Sequence, residues 1–513
     1  MRRCHLPVGI AALVLATAAS AAAQPVVDTG PNTVTAPYVI PVADGVQITS
    51  LLTVDDAGSA FDGYELTGIP DGLGAVKSSR HGFTLFMNHE FNAMQGAVHR
   101  HGQMGAYVST FRIDSKSFAV EEGMDTIDPG VRFWNYVTQQ YQTAPSPGGT
   151  NPRNPADTFP AQGAAFARFC SGRLSVPGQF DLRHSSRGYS GQIYFANEEN
   201  GEEGRTFGVL PDGTAQQLPR LGLASWENTL PAYNRSETTL VIGDEDSGAG
   251  QLHVYEGVKR SSGNAFDRAG LTNGVHSVLD LVDETVSTDA QFRAKYGKGT
   301  PVAFDLAEVD WDQSGARQNA EGAAEGLSLN RIEDGAWDPR HPDTFYAFTT
   351  EGGDTTPSEP GITRDGGGLW KVTFEDIEHP RLGGTIELVL DGSEPPFLNK
   401  PDNMDIDRRG NLLIQEDPGN NGHVARIVAF NTRTGALGVV ATFDPALFGV
   451  GSPSLITIDE ESSGIIDARD VIGPRWFVFD AQVHKASPNP ASVELGQLLV
   501  MKVRSFRKVY GTD

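Results

Sequence analysis

Acidic side chains recur in this sequence where short β-forming runs stop, and one cysteine lies among them. The motifs are MNHEFN, NEENGEEG, SWENTLP, GDEDSGAG, NRIEDG, TTEGGD, KPDNMDID, IQEDPGNN and DEESSG, in that order between residues 87 and 464. Carboxylates that meet at one site repel one another strongly unless cations neutralise them. The recurrence therefore predicts a cation site built from residues that are far apart in the sequence.

The donor types indicate which cations such a site would suit. Calcium takes about six to eight hard oxygen ligands, which Asp, Glu, Asn and backbone carbonyls supply. Cys170, in the stretch RFCSG, would add a thiolate, and a thiolate among carboxylates favours a transition metal. The simpler alternatives are charged hairpin turns for the acidic motifs and a small buried core residue for the cysteine. His89 has no second histidine at metal spacing, which favours a structural role for it.

The N-terminus predicts export. Residues 1–23 have a basic start, an apolar run of about a dozen residues and a small-residue cleavage site, as in a signal peptide. The apolar run is too short to span a membrane, and Arg2-Arg3 leaves the twin-arginine route open. Cleavage would remove Cys4 and leave Cys170 without a disulfide partner. A lone thiol in the periplasm or outside the cell must be buried or bound.

The charge balance excludes some partners. The chain has 40 basic and 65 acidic residues, a formal net charge of −25. Such a field argues against nucleic acid or an anionic membrane as a partner. Solubility alone would also explain the excess, but the position of the acidic residues at the ends of β-runs favours cation binding.

The elements that must position these side chains are short strands. Runs such as TTLVIGD, TFYAFTT and RWFVFDA are bounded by Gly, Asp, Asn and Pro, and the chain has 59 glycines. Many short strands indicate an all-β sandwich array, barrel or propeller. NLLIQE and ARIVAFNTRTGALGVVATF look like consecutive antiparallel strands of one propeller blade. We expect helical insertions near 284–297 and 315–327 and a surface loop over 143–165.

The sequence lacks the familiar motifs of nucleophilic catalysis and nucleotide binding. The sequence has no Gly-x-Ser-x-Gly elbow, no Walker loop and no Gly-x-Gly-x-x-Gly after a strand. In a propeller, by contrast, strand ends around the central channel lie close together although they are distant in sequence. The acidic motifs are therefore expected at the mouth of such a channel.

The ordered motifs resemble the PhoX-type alkaline phosphatases, and in particular an uncharacterised branch of PhoX-like exported proteins. The similarity runs from LFMNHEFN through RFCSG and KPDNMDID to EESSGIIDA, in the order of that family and over most of the mature chain. It implies an irregular six-bladed β-propeller over residues 24–513, with loop and short helical insertions. It also implies export, a channel-mouth cofactor of ferric iron (Fe3+) and calcium (Ca2+), and phosphomonoester hydrolysis by a monomer acting on a small phosphorylated substrate.

The resemblance assigns roles to individual residues. The positions matching iron-side ligands are Glu90, Cys170, Glu199 and Glu227. The candidates for calcium-side carboxylates are Glu198, Asp244, Glu333, Asp402 and Glu416. The positions expected to contact phosphate are Asn200 and Arg331, with Lys371 or Lys400 as the phosphate-binding lysine.

The sequence departs from the family pattern at two places. Cys170 and Glu199 are 29 residues apart, where the phosphatases keep a short Thr-Pro-Trp-Gly segment, and Trp226-Glu227 replaces His-Glu. Two alternatives to a phosphomonoesterase therefore stay open. One is a calcium-dependent propeller hydrolase acting on a phosphodiester, phytate or a lactone-like ester. The other is a non-catalytic binding protein that uses metal for stability alone.

Overall fold

Six sheet units, each built around four antiparallel strands, organise the part of the chain that this computed structural model describes, residues 26–357 and 360–512. The predicted signal peptide, residues 1–23, lies outside the described residues. We call the sheets blades 1 to 6 and give their strands from the innermost outward. Within the described ranges, no helix has the length and apolar character needed to cross a membrane.

The first three blades follow one another along the chain. Blade 1 consists of Pro70–Lys77, Gly82–His89, Tyr107–Asp114 and Val120–Asp125. Blade 2 consists of Phe169–Leu174, Tyr194–Glu198, Thr206–Val209 and Ala215–Gln217. Blade 3 consists of Trp226–Pro231, Thr238–Glu245, Leu252–Val258 and Val275–Leu281.

The other three blades complete the ring. Blade 4 consists of Ile332–Trp337, Thr344–Thr349, Gly368–Phe374 and Gly384–Leu390. Blade 5 consists of Pro401–Ile406, Asn411–Glu416, Arg426–Asn431, Leu437–Phe443 and Val39–Pro41. Blade 6 consists of Glu460–Glu461 and Ile465–Asp467, then Trp476–Ala486, Glu494–Val503, Val46–Thr53 and Val26–Thr29.

The ring is closed by strand pairing between the two ends of the chain. Val46–Thr53, from the N-terminal segment, pairs antiparallel with Glu494–Val503 near the C-terminus and so adds a strand to blade 6. The innermost strand of each blade packs against those of its two neighbours, including blade 6 against blade 1. The innermost strands therefore surround a central channel, and the predicted all-β, irregular β-propeller is confirmed.

The hydrophobic core is divided among the spaces between blades. In Asn411–Glu416, Leu412 and Ile414 pack with residues of blade 4, whereas Leu413 packs with residues of blade 6. Successive side chains of a strand point to opposite faces, so a strand between two blades must be apolar on both. This explains why the blade strands read as continuous apolar runs rather than as alternating patterns.

The remaining elements are insertions between or beside the blades. Val302–Glu308 pairs with the outer strands of blades 3 and 4 and joins them into one nine-stranded sheet. The helices are Ala265–Arg268, Asp289–Lys295, Gly315–Glu325, Pro445–Phe448 and Phe506–Val509, with short 3₁₀ turns at Gly201–Glu203, Pro219–Leu221, Pro380–Leu382 and Ala468–Asp470. The short strand pairs are Phe133–Asn135 with Gln140–Gln142, Gly149–Thr150 with Thr158–Phe159, and Phe180–Asp181 with Gly188–Tyr189.

Two of the sequence expectations about insertions are met directly. Helices Asp289–Lys295 and Gly315–Glu325 fall within the stretches 284–297 and 315–327. The stretch 143–165 lies between blades 1 and 2 and holds only the short pair Gly149–Thr150 and Thr158–Phe159 in its described backbone.

Gly72 provides a test of how tightly the innermost strands approach one another. A Cβ added to Gly72 would lie 2.2 Å from the backbone nitrogen of Gly172 in blade 2, a distance that backbone atoms cannot accommodate without moving. At Gly163, in contrast, an added Cβ would come no closer than 3.9 Å to the nearby heavy atoms. We expect Gly72→Ala to destabilise the fold by roughly 1–3 kcal/mol and Gly163→Ala to leave it unchanged, as measured by urea unfolding. Equal stability of the two variants would contradict the close approach.

Candidate metal centre

The second residue of the first strand segment in each blade carries an acidic or thiol side chain. Across the described chain these residues are Asp71, Cys170, Glu227, Glu333, Asp402 and Glu461. Because the innermost strands run side by side around the channel, their starting ends meet at one mouth. Sequence-distant donors are thus collected into one ring.

A second ring of side chains is held at the same mouth by backbone hydrogen bonds. In each blade a residue near the end of the second strand donates its N–H to the carbonyl of the residue that precedes the first strand. In blades 1 to 5 the donor directly follows the second strand, and in blade 6 it lies two residues before the end of that strand. The six pairs are Glu90 to Ile69, Glu199 to Arg168, Asp246 to Ser225, Thr350 to Arg331, Asp417 to Lys400 and His484 to Asp459, at 2.9–3.0 Å. The ring therefore adds Glu90, Glu199, Asp246 and Asp417 to the acidic donors.

Local backbone strain marks the same positions. Ile69, Arg168, Arg331 and Lys400 all have left-handed backbone, with φ between 46° and 55°. Left-handed backbone costs a residue with a side chain about 1–2 kcal/mol, and it persists where surrounding structure enforces it, often at functional sites. In blades 1 to 5 the strand register also shifts just beyond the first-ring residue, as in a β-bulge. Bulges redirect side chains near active sites, and here they turn the donors toward the mouth.

The donors form an unbroken line of possible metal-binding groups. Four sets have ligand atoms within 4.8 Å of one another in the described residues. The sets are Asp71, Glu90 and Cys170; Cys170, Glu199 and Glu227; Glu227, Glu333 and Asp402; and Asp402, Asp417 and Glu461. Neighbouring sets share Cys170, Glu227 or Asp402, so one end of the line contains the thiol and the other contains only carboxylates.

Burial raises the pKa values of several acidic groups in this line. Burial raises the pKa of the Glu227 carboxyl to about 7 and that of Glu461 to about 8. Burial, reinforced by neighbouring carboxylates, raises the pKa well above its ordinary range at Asp71, Glu333 and Asp402. The Cys170 thiol, whose Sγ lies 3.3 Å from Asp71 Oδ2, also has its pKa raised, by burial and then by that carboxylate. Cations among these groups would favour the charged forms and reverse the shifts.

An unpartnered oxygen supports the fit of cations to this line. Glu227 Oε1 is buried and has no hydrogen-bond partner among the described residues. A buried carboxylate oxygen left in this state costs free energy comparable to a lost hydrogen bond, and more when it is charged. Since Glu227 belongs to both a thiol-containing set and an all-carboxylate set, a cation in either set could satisfy this oxygen.

Two arginines flank the line at matching positions of blades 2 and 4. Arg168 Nη2 lies 2.7 Å from Glu90 Oε1 and also contacts Glu199. Arg331 donates from Nε and Nη2 to the two oxygens of Asp246, both at 2.9 Å. The Arg168 side chain is 39% exposed and that of Arg331 is 33% exposed. The site thus holds two partly exposed arginines in contact with acidic residues of the mouth.

Most of the metal ligands expected from sequence come together in this line. The structure groups Glu90, Cys170, Glu199, Glu227, Glu333 and Asp402. Of the two phosphate-binding candidates, Arg331 lies at the mouth and Asn200 is exposed directly after Glu199. Lys400 precedes the innermost strand of blade 5, with its Nζ 3.8 Å from Glu351, whereas Lys371 lies on the third strand of blade 4 beside Glu387.

Glu198 and Glu416 are not brought into the line. Each is the last residue of its strand, so its side chain points away from the face used by the next residue, Glu199 or Asp417. Glu198 instead pairs with Arg205 at 2.6 Å, and Glu416 with Arg426 at 2.6 Å. The expected calcium-side role fits neither side chain, because both are held by arginines inside their blades.

Asp244 lies deeper than the line. It is two residues before Asp246, fully buried, and neither of its oxygens has a hydrogen-bond partner among the described residues. Burial and the nearby Asp334 and Glu227 carboxylates raise its pKa. It is therefore close to the line without belonging to its four sets.

Sequence reasoning missed two contributors to the mouth, Asp71 and Arg168, and it placed Asp417 and Glu461 in the acidic motifs IQEDPGNN and DEESSG without assigning them as ligands. The signal that could have found Asp71 is the repeated start of the innermost strands, which reads IPDG, RFCS, SWEN, RIED and KPDN in blades 1 to 5. His89, expected to be structural, is buried and contacts Ser109 Oγ at 2.9 Å through Nε2, while burial lowers its pKa to about 3.

Comparisons with known proteins identify the fold. No protein-family model and no curated protein matches the chain. The solved structure of PhoX from Pseudomonas fluorescens, in complex with vanadate as a transition state analogue, is similar with a TM-score of 0.59 at 12% identity, covering 92% of this chain and 97% of that one. At this identity the likeness shows the propeller fold alone, and the family membership implied by the motifs stays a prediction.

More distant similarities are also found. A protein of unknown function from Dyadobacter fermentans has a TM-score of 0.38 at 10% identity, covering 90% of this chain and 100% of that one. A lectin from Burkholderia pseudomallei has a TM-score of 0.32 at 12% identity, covering 81% and 93%.

The neighbouring glutamates Glu198 and Glu199 give a matched test of the site. Glu198→Gln breaks a buried pair with Arg205 and should destabilise the fold by about 3–5 kcal/mol. Glu199→Gln removes a carboxylate from the end of the line that contains the thiol and should instead weaken the stabilisation that added iron provides. Thermal unfolding of both variants, with chelator and with iron, measures the two effects. Equal iron responses in the two variants would contradict the assignment.

The raised carboxyl pKa values predict how stability depends on pH in the absence of cations. Glu227 and Glu461 keep protons when folded that the unfolded chain releases above its ordinary carboxyl pKa. Above about pH 4.5 the folded state therefore binds more protons than the unfolded chain. The contribution of these two carboxyls to the free energy of unfolding is fully present below about pH 4.5 and is lost as pH rises through about 7 to 8. We expect the Tm in chelator to fall over this range, and added calcium to reverse the fall. A Tm that rises with pH in chelator would contradict this sign.

Proposed function

We propose that this chain is an exported metal-dependent phosphatase of the PhoX-like type, hydrolysing phosphomonoesters at an iron and calcium site at the channel mouth. Two lines of reasoning support the proposal. The ordered sequence motifs resemble that family, and the fold is similar to that of a PhoX structure solved with a transition state analogue. The observation that carries it is the unbroken line of carboxylates with one thiol at the channel mouth.

The donor chemistry supports different ions at the two ends of the line. Asp71, Glu90, Cys170 and Glu199 combine carboxylates with a soft sulfur donor, which suits iron. Asp402, Asp417 and Glu461 offer oxygen alone, which suits calcium. When bound, such ions supply positive charge and Lewis acidity for transfer of a phosphoryl group.

The chain's own cations would bind and orient the phosphate. Arg331 uses Nε and Nη2 for Asp246, and its Nη1 takes no part in that pairing. A guanidinium held in this way presents further N–H donors in a fixed plane, suited to phosphate oxygens. Arg168 is at the corresponding position of blade 2, and Asn200 is exposed beside Glu199. We assign all three to binding the non-bridging oxygens, with Lys400 as the lysine nearest the mouth.

Elemental analysis combined with a substrate panel tests the proposal. Protein purified from its native compartment should contain iron and calcium and hydrolyse an aryl phosphate such as p-nitrophenyl phosphate. Cys170→Ala should lose iron and lower kcat/KM by about 100-fold or more, while keeping calcium. Asp417→Asn should weaken calcium binding and keep iron. Protein without either metal would contradict the cofactor assignment.

The same panel separates the alternative functions. Turnover of phytate, a phosphodiester or a lactone without turnover of the aryl phosphate would replace the proposal with a calcium-dependent propeller hydrolase. A chelator-sensitive Tm with no turnover of these substrates would instead favour a binding protein that uses metal for stability.

A further inference from the structure

The opposite end of the channel holds a second concave surface. The innermost strands of blades 1 to 5 span about six residues, so their C-terminal ends lie roughly 20 Å from the acidic line. Around these ends lie two adjoining cavities of about 530 and 400 Å³, both lined by Arg173 and Asp470. A cavity of several hundred Å³ is in the range of small-molecule sites.

The walls of the larger cavity are mostly aromatic, aliphatic and proline side chains. They include Trp337, Tyr233, Val176 and the four prolines Pro177, Pro231, Pro339 and Pro342. Tyr233 and Val176 are 47% and 42% exposed, although large apolar side chains are usually buried. The indole of Trp337 is fixed, because its Nε1 donates to the Leu230 carbonyl at 3.0 Å. These walls suit the flat apolar part of a ligand.

Arg173 supplies the polar feature of this surface. Its side chain is 32% exposed and makes one hydrogen bond within the described residues, from Nη1 to Asp405 Oδ1 at 3.3 Å. A guanidinium has five N–H donors, and Arg173 uses one of them for Asp405, so its exposed part can donate to a ligand. Since Arg173 lines both cavities, an anionic group bound to it would lie at their junction.

The charges around the larger cavity limit how much negative charge a ligand can carry. Arg408 pairs with Asp470 at 2.8 Å, and Asp338 lies 3.2 Å from His341 Nδ1. Arg173 also has an aspartate partner, Asp405, but it contacts Asp405 through Nη1 alone at 3.3 Å. The nearby aspartates would repel a polyanion, so the site suits a ligand with a single negative charge that binds the other N–H donors of Arg173.

We propose that this mouth is a binding site for a small aromatic monoanion, with its ring system against Tyr233 and Trp337 and its carboxylate, sulfonate or phosphate monoester anion on Arg173. The site is separate from the acidic line and does not depend on the function proposed for that line. The concave shape and the cavity volume favour a small molecule over a protein surface.

Fluorescence titration of the calcium-loaded full chain with 1-anilinonaphthalene-8-sulfonate tests this site. This probe is an aromatic monoanion, and N-phenyl-1-naphthylamine is its uncharged counterpart. We expect saturable one-to-one binding of the sulfonate. Tyr233→Ala should weaken it about threefold to tenfold, and Arg173→Gln about tenfold or more. The preference for the sulfonate over the neutral probe should disappear in Arg173→Gln.

Matched controls keep the test decisive. Phe61 is 65% exposed and lies outside both cavities, so Phe61→Ala should leave binding unchanged. An unchanged Tm in Tyr233→Ala excludes partial unfolding as the cause of weaker binding. Equal binding of the two probes, or equal binding by Tyr233→Ala and Phe61→Ala, would overturn the proposal. A dimer in size-exclusion chromatography that Tyr233→Ala converts to monomer would also overturn it, because this mouth would then bind a second copy.

Discussion

Six backbone hydrogen bonds position the candidate metal centre. Each joins the residue before a blade's first strand segment to a residue near the end of its second strand, and each therefore fixes two side chains at the channel mouth. The left-handed backbone of Arg168 and Arg331 is tolerated because these bonds and the following strands hold it. The placement of carboxylates, thiol and arginines thus depends on the main chain rather than on the side chains themselves, which would repel or pair in other ways.

The burial of so many acidic groups at one channel mouth costs free energy on folding. Burial and mutual repulsion raise the carboxyl pKa values of Glu227, Glu333 and Asp402, which means that their charged forms are unfavourable in the folded chain. The apolar clusters between successive blades provide the compensating free energy, since the inner strands of the blades bury side chains on both faces. Cations at the mouth would remove part of the opposing term, which couples cation binding to stability.

Adjacent glutamates of one sequence motif serve different purposes here. Glu199 faces the channel mouth and Glu198 faces Arg205, because consecutive strand residues point to opposite sides. The pair Glu416 and Asp417 in blade 5 shows the same division, with Arg426 in the place of Arg205. Each of these two motifs therefore contributes one carboxylate to the site and one to an internal ion pair, and counting acidic residues overestimates the ligands.

The sequence by itself determined the all-β class, the strand runs, the two helical insertions and most of the acidic residues of the site, because strand length, turn residues and donor chemistry are local properties. It could not decide between Glu198 and Glu199, since that choice depends on where a strand ends. It could not find Asp71 or Arg168 as partners of Cys170, because they come together only when blades 1 and 2 pack side by side. Tertiary structure decided those contacts, since closing the ring is what brings the strand starts of all six blades to one mouth.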